Sequence, residues 1–135
     1  MRVPLQKRRP RAAKHTHSIL VVDDNEAAAD SLAKLLRLRG HRVSIAYSGL
    51  DAVDKAREQR PDILVLDIGL PDIDGYEVVR ILLRDGSFPS AIIALTGYGQ
   101  EEDKVRAFEA GFHHHLTKPV SLKELEKAFK KVSAI

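Results

Sequence analysis

Short apolar runs alternate with segments of helical periodicity along most of the chain. Three of the runs are continuous, which is typical of parallel strands covered on both faces. A fourth run is weaker, and one further stretch alternates apolar with polar residues as an edge strand does. In chain order, the five predicted strands lie at residues 19–22, 43–45, 63–66, 91–95 and 113–116.

Helical periodicity fills the intervals between these strands. The first helix is expected to turn one apolar face to the core, formed by Ala28, Leu32, Leu35 and Leu36. Gly40 can end that helix in the left-handed region. Two further helices are predicted to begin after the N-caps Ser48 and Asp74, and another is predicted over residues 100–110. The last helix is predicted to begin at a capping box of Ser121 with Glu124. The inward residues of the last helix are expected to be Leu122, Leu125, Phe129 and Val132.

Five successive strand–helix pairs predict a single α/β domain with a doubly wound parallel sheet. Right-handed crossovers leave few arrangements for such a sheet. We expect the flavodoxin-like (βα)5 fold with strand order 2-1-3-4-5, in which strands 1 and 3 lie side by side at the point where the winding reverses.

Chemically distinctive residues follow four of these strands. Asp23 and Asp24, Asp67, Thr96 and Lys118 each stand where an apolar run stops. In an open α/β sheet the side chains beyond the carboxyl ends of the strands line the ligand crevice. The pattern therefore predicts that these residues form one site at one edge of the sheet.

The residue types at this edge indicate phosphoryl chemistry with a divalent cation. Mg²⁺ prefers oxygen ligands and uses one or two carboxylates together with phosphate oxygens. It would screen the charge of an incoming phosphoryl donor, and it leaves one carboxylate as a nucleophile. Lys118 and the Thr96 hydroxyl can hold phosphoryl oxygens, so the site supplies positioning and charge stabilisation.

The chain resembles the receiver domains of bacterial response regulators from about Ser18 to Val132. Four motifs carry the resemblance, in this order and at these spacings: Val22-Asp23-Asp24-Asn25, Leu66-Asp67-Ile68-Gly69-Leu70-Pro71 with Asp74-Gly75, Ala94-Leu95-Thr96-Gly97, and Leu116-Thr117-Lys118-Pro119. The resemblance implies a cytoplasmic switch of a two-component system or phosphorelay rather than an enzyme. Such a switch would assist its own phosphorylation and dephosphorylation and signal through protein contacts.

The resemblance also implies a role for each residue of the site. Asp67 would accept the phosphoryl group from a histidine kinase or a histidine phosphotransfer protein. Asp23 and Asp24 would bind Mg²⁺ together with Asp67 and the backbone carbonyl of Gly69. Thr96 and Lys118 would contact the phosphoryl group, and the Lys118–Pro119 bond is often cis in this family.

Three positions are variable or unusual for that family. Gly69 and Tyr98 occupy positions that flank the attacking water and tune the lifetime of the phosphoryl group. His115 stands where the family usually has a Tyr or Phe that turns inward on activation. It is either a packed strand histidine or a modified switch residue, in which case activation is expected to depend on pH. A metal site formed by His113, His114 and His115 lacks a further ligand at a recognisable spacing.

Charge divides the chain into two parts. Six of the 22 basic residues precede residue 18, where there is no acid, and the remaining 16 face 19 acidic residues, so that residues 18–135 carry a charge of −3. We interpret residues 1–17 as a disordered basic tail and 18–135 as the receiver domain. The tail is a solvated leader or linker, or else a contact for nucleic acid or an anionic surface. The chain has no cysteine, which fits a reducing compartment.

Three other functions would require different features of the sequence. A flavin carrier shares the crevice, but the acidic loop at Asp23 would repel its phosphate. A phosphatase with an aspartate nucleophile would need a capping insertion over its substrate. DNA binding would depend on residues 1–17, because no dedicated DNA-binding domain is expected, and no apolar run is long enough to span a membrane. The sequence leaves open whether this is a stand-alone receiver or the terminal receiver of a hybrid kinase, and which downstream protein it contacts.

Overall fold

A computed structural model describes residues 16–87, 89–97 and 112–133 of the chain. The strands it describes are β1 (Ser18–Val22), β2 (Arg42–Ala46), β3 (Ile63–Asp67), β4 (Ala91–Thr96) and β5 (His114–Thr117). The helices are α1 (Glu26–Leu38), α2 (Gly49–Gln59), α3 (Gly75–Asp85) and the C-terminal helix (Leu122–Ser133). The helix predicted over 100–110 and most of the tail fall outside the described residues.

The five strands form one parallel sheet in the order β2-β1-β3-β4-β5. This confirms the predicted flavodoxin-like fold and its strand order. β1, β3 and β4 are interior strands, and their apolar residues are almost completely buried. β2 lies at an edge, and its first four residues are partly or fully exposed, as its alternating sequence predicts.

Two apolar layers sandwich the sheet. One face carries residues such as Leu64 and Leu66 against α2 and α3, around Val79 and Leu82. The other face carries residues such as Val65 and Ile93, together with Leu36 of α1 and Leu125 and Phe129 of the C-terminal helix. Full burial of one such side chain contributes about 1.5–3 kcal/mol to the free energy of folding. The interior strands therefore stabilise the fold, and the residues at their carboxyl ends are available to form a site.

The predicted helix caps are confirmed. The Ser48 hydroxyl accepts the N–H of Asp51 at the start of α2, and the Asp74 carboxylate accepts the N–H of Glu77 at the start of α3. Ser121 and Glu124 exchange the two hydrogen bonds of a capping box. Gly40 follows α1 with φ +95°, a conformation that favours glycine.

The predicted inward face of α1 is partly wrong. Leu36 is fully buried, but Ala28 is exposed and Leu35 is 45 % exposed. The small residues Ala29 and Ala33 turn to the sheet instead. Because eight of the 13 residues of this helix are apolar, periodicity alone does not fix its rotation. Alanine permits the closest approach to the sheet.

The packed domain reaches back to His17. Its backbone carbonyl accepts the N–H of Arg42, and its own N–H donates to Nδ1 of His41. Its ring also contacts the rings of His41 and Phe129. His17 is thus tied to β2 and to the C-terminal helix, although the charge pattern assigns it to the tail.

Candidate functional site at the carboxyl edge of the sheet

The register of the parallel strands gathers the predicted residues at one edge. Val22 pairs with Leu66, so Asp23 and Asp67, the residues that follow them, lie beside each other. Asp67 in turn pairs with Leu95, and Thr96 pairs with Thr117. Lys118 follows Thr117, and its backbone N–H donates to the carbonyl of Thr96. The sheet therefore delivers two acids, a hydroxyl and a lysine from four strands to one place.

Asp23, Asp24 and Asp67 form an acidic cluster. Each offers one carboxylate oxygen, and these oxygens lie within 4.8 Å of one another. Asp23 and Asp67 are buried while Asp24 is exposed, so the cluster opens to solvent on one side. Three hard oxygen donors at this separation are a ligand set that suits Mg²⁺.

Lys118 bridges the two buried acids of the cluster. Its Nζ donates to Oδ2 of Asp67 at 2.9 Å and to Oδ2 of Asp23 at 3.2 Å. Burial by itself would lower the pKa of the ammonium, but the hydrogen bond and charge of Asp67, joined by those of Asp23, raise it. The lysine therefore carries its positive charge between the two carboxylates.

Backbone amides fix the other oxygen of each buried acid. The Asn25 N–H donates to Oδ1 of Asp23 at 3.0 Å, and the Gly69 N–H donates to Oδ1 of Asp67 at 2.9 Å. Asn25 also caps α1, because its side-chain oxygen accepts the Ala28 N–H. Sequence reasoning missed this positioning role of Asn25, although an Asn immediately before a helix is a recognisable cap signal.

The pKa of the Asp23 carboxyl lies above the ordinary value for an aspartate. Burial raises the pKa of its carboxyl, and the charge of Asp67 acts in the same direction. The hydrogen bond from Asn25 and the charge of Lys118 oppose this rise without cancelling it. A further cation at the cluster would relieve the same repulsion.

Thr96 and His115 form a hydrogen-bonded pair. Thr96 is 2 % exposed, and its Oγ1 lies 2.5 Å from Nε2 of the half-buried His115. The imidazole expected to approach Thr96 on activation already contacts it in this structure. Either group can be the donor, since the role of a neutral imidazole nitrogen depends on its tautomer.

Other predicted positions contribute less to the described geometry. Tyr98 falls outside the described residues. Gly69 has no side chain near Asp67, and a Cβ placed there would lie 3.7 Å from Asp67 Oδ1. His113 accepts the backbone N–H of Ile92 through Nδ1. Within the described ranges, the acidic cluster is the one group of three or more potential metal ligands, and the histidine run does not join it.

Residues 19–130 match the model of the response regulator receiver domain, which is most of the chain. The chain belongs to the response regulator receiver family of two-component signalling. The Lys118–Pro119 peptide bond is cis, as the resemblance implies.

Curated relatives of this receiver domain are bacterial response regulators. Over 115 residues it is 40 % identical to the transcriptional regulatory protein AfsQ1 of Streptomyces coelicolor, with 85 % of this chain and 50 % of that protein covered. Over 107 residues it is 40 % identical to the response regulator MprA of Mycobacterium avium, covering 79 % of this chain and 46 % of that protein. The chain thus spans about half the length of the curated relatives it matches.

Solved receiver domains share the fold. The receiver domain of the sensor histidine kinase PA1611 from Pseudomonas aeruginosa, with a magnesium ion in its active-site cleft, matches with a TM-score of 0.78 and 31 % identity, covering 89 % of this chain and 99 % of that one. A CheY-like receiver domain protein from Methanospirillum hungatei matches with a TM-score of 0.77 and 29 % identity, covering 86 % and 92 %.

Among the described residues, no helix has both the length and the apolar character to cross a bilayer.

Proposed function

We propose that this protein is a phosphorylatable signalling switch whose phosphoacceptor is Asp67. The observation that carries the proposal is the contact between Asp67 and Lys118, at 2.9 Å, inside a cluster of three carboxylates. A buried carboxylate held between an ammonium and two further acids can react with a phosphoryl group, because the ammonium and a cation bound by the acids would stabilise the added negative charge.

The chain's own contacts orient Asp67 for this reaction. The Gly69 N–H holds one carboxylate oxygen and Lys118 holds the other. The donor would be the phosphohistidine of a histidine kinase or a histidine phosphotransfer protein. The P–N bond breaks, a P–O bond to the Asp67 carboxylate forms, and the released histidine takes up a proton.

The residues present fit a magnesium ion. Asp23, Asp24 and Asp67 would hold it with the backbone carbonyl of Gly69, and their oxygens already lie close enough together to share one cation. The ion would supply positive charge against the negative phosphoryl donor.

Lys118 and Thr96 would stabilise the product. Lys118 sits where an oxygen of a phosphoryl group on Asp67 needs a positive charge, and a lysine serves there as a point charge. The Thr96 hydroxyl would contact another phosphoryl oxygen, which requires it to leave His115. That exchange makes Thr96 and His115 the switch pair, and Gly69 with Tyr98 would set how long the phosphoryl group survives.

The output of the switch is a change in protein contacts. Small shifts at a phosphorylated site are amplified when they bias an element with two arrangements. The downstream partner is a protein that distinguishes the two arrangements of the switch pair. The protein turns over no external substrate in this scheme, so it is a phosphoacceptor rather than an enzyme.

Phosphorylation of the intact protein tests the proposal. The wild type is incubated with acetyl phosphate and Mg²⁺, and its intact mass is measured with and without a chelator. We expect a gain of one phosphoryl group in the presence of Mg²⁺ and no gain for Asp67→Asn. Asp54→Asn is the matched control, because Asp54 is exposed on α2 away from the cluster and makes the same change of charge. Mass gain by Asp67→Asn at Asp23 or Asp24 would refute the assignment.

A further inference from the structure

A cavity lies at the amino ends of the strands, on the opposite side of the sheet from the acidic cluster. It has a volume of about 430 Å³. His17 and His41 line it, and they immediately precede β1 and β2, so the cavity marks the amino ends of these strands. Arg39 at the end of α1 and one side of the C-terminal helix complete its wall. Its size falls within the range of about 300–1,000 Å³ that is common for small-molecule sites.

The wall of this cavity is strongly basic. Its charged side chains are one carboxylate, Glu126, and four cations, Arg39, Lys123, Lys127 and Lys130. Glu126 forms an ion pair with Arg39, with 3.2 Å between its Oε1 and Nη1 of the arginine. Lys123, Lys127 and Lys130 stand at helical spacing on one face, and within the described ranges none of the three is paired with a carboxylate. Three uncompensated ammonium groups around one concavity attract a multiply charged anion.

Aromatic rings form the floor beside these lysines. The rings of His17 and His41 are stacked with centroids 5.8 Å apart, and the ring of Phe129 meets His41 edge-on at 5.4 Å. These contacts pack His41 between the start of β1 and the C-terminal helix. The cavity is therefore preformed on its apolar side.

His41 adds a hydrogen-bond donor to this floor. It is only 7 % exposed, and its Nδ1 accepts the backbone N–H of His17 at 3.0 Å. A neutral imidazole that accepts through Nδ1 carries its hydrogen on Nε2. Among the described residues this Nε2–H has no hydrogen-bond partner, and His41 lines the cavity. The donor is thus available to a ligand that enters from the lysine side.

We propose that this cavity binds a small anion bearing several phosphoryl groups. The three lysines would hold its charges, as lysines do for phosphate, and the His41 Nε2–H would donate to one of its oxygens. Such an anion could be an inorganic polyphosphate or the phosphate chain of a nucleotide, and both share the chemistry that the lysines recognise. The site lies at the edge of the sheet opposite Asp67, so it is separate from the proposed phosphorylation.

Amide-shift titrations of the whole protein test this site. The probes are inorganic tripolyphosphate, ATP and adenosine, added without divalent metal at about 0.15 M salt so that weak surface attraction is screened. We expect saturable shifts at His17, His41 and Lys127 with both phosphate probes and none with adenosine. Tighter binding of ATP than of tripolyphosphate would identify a nucleotide, and equal binding would identify the phosphate chain alone; either result supports the site.

Two charge reversals on the same helix make the test specific. Lys127→Glu should weaken binding at least about fivefold, because it reverses a charge at the cavity. Lys131→Glu makes the same change of charge at an exposed position outside the cavity and should alter affinity less than about twofold. Equal loss in the two variants, shifts that map elsewhere, or no saturation with either phosphate probe would overturn the proposal. Phosphorylation of Asp67 by acetyl phosphate should be unchanged in both variants.

Discussion

The Thr96 hydroxyl oxygen and Nε2 of His115 lie 2.5 Å apart, joining the last residue of β4 to β5. Thr96 is almost fully buried, so its hydroxyl has few alternatives to this partner. In the proposed switch the same hydroxyl must reach a phosphoryl oxygen on Asp67. The two contacts compete, and that competition is open to measurement.

Removing the imidazole should favour activation. His115→Phe keeps a ring of similar bulk but cannot bond Thr96, so the hydroxyl no longer has to leave a partner. A neutral hydrogen bond has a net value of about 0.5–1.5 kcal/mol, which predicts about twofold to twelvefold tighter binding of beryllofluoride with Mg²⁺. His114→Phe on the neighbouring position is the control and should change affinity little. An equal gain in a Thr96→Ala background would show that competition for the hydroxyl is not the cause.

Replacing Lys118 should lower the stability of the metal-free domain and raise its affinity for Mg²⁺. Lys118→Met leaves Asp23 and Asp67 facing each other without their shared cation, so the metal-free domain should unfold at a lower temperature. Mg²⁺ should then bind more tightly, because it no longer competes with the ammonium. Calorimetry with and without Mg²⁺ measures both effects. Lys34→Met on α1 is the control, because Lys34 is exposed and forms no ion pair within the part of the chain that the structure describes. Unchanged melting of metal-free Lys118→Met would contradict the prediction.

Asp24 should contribute to Mg²⁺ affinity but not to the stability of the fold. It is the exposed member of the cluster, so Asp24→Ala removes one metal ligand and one repelling charge without opening the core. We expect weaker Mg²⁺ binding, loss of Mg²⁺-dependent phosphorylation, and equal or higher melting temperature of the metal-free protein. Titration calorimetry with Mg²⁺ gives the affinity directly. Wild-type affinity in this variant would exclude Asp24 as a ligand.

The stability of the domain should fall in mild acid because of His41. Burial lowers the pKa of this imidazole, with the charge of His17 acting in the same direction and Glu126 opposing it. The unfolded chain therefore binds a proton more readily than the folded one. The stabilisation is complete above about pH 6.5 and is lost as the pH falls toward the folded pKa, by at most about 1.4 kcal/mol per pH unit.

His41→Gln isolates this effect in urea unfolding. Glutamine offers an oxygen to the backbone N–H of His17 but does not titrate, so the variant should lose less stability than wild type between about pH 6.5 and pH 5. Carboxylates affect both proteins alike, which makes the difference between them specific to His41. Parallel pH profiles would show that His41 is protonated equally in the folded and unfolded chain.

Local signals in the sequence were enough for the elements and for most of the site. Each interior strand is a continuous apolar run, and each cap is a polar residue immediately before a helical period. The order of these elements, with the handedness of parallel crossovers, leaves few topologies. Because parallel strands end at a common edge, the residues after the runs, Asp23, Asp67 and Lys118, had to meet.

Only the tertiary structure decided contacts between residues of similar local character. The rotation of α1 depends on how closely Ala29 and Ala33 fit the sheet, which periodicity among many apolar positions does not encode. The pairing of His115 with Thr96 depends on the register of β4 with β5. The basic cavity arises because Arg39, His41 and the lysines of the C-terminal helix meet across more than 80 residues of sequence, as the contact of Arg39 with Glu126 shows. A linear sequence contains the charges, and packing determines which of them share one concavity.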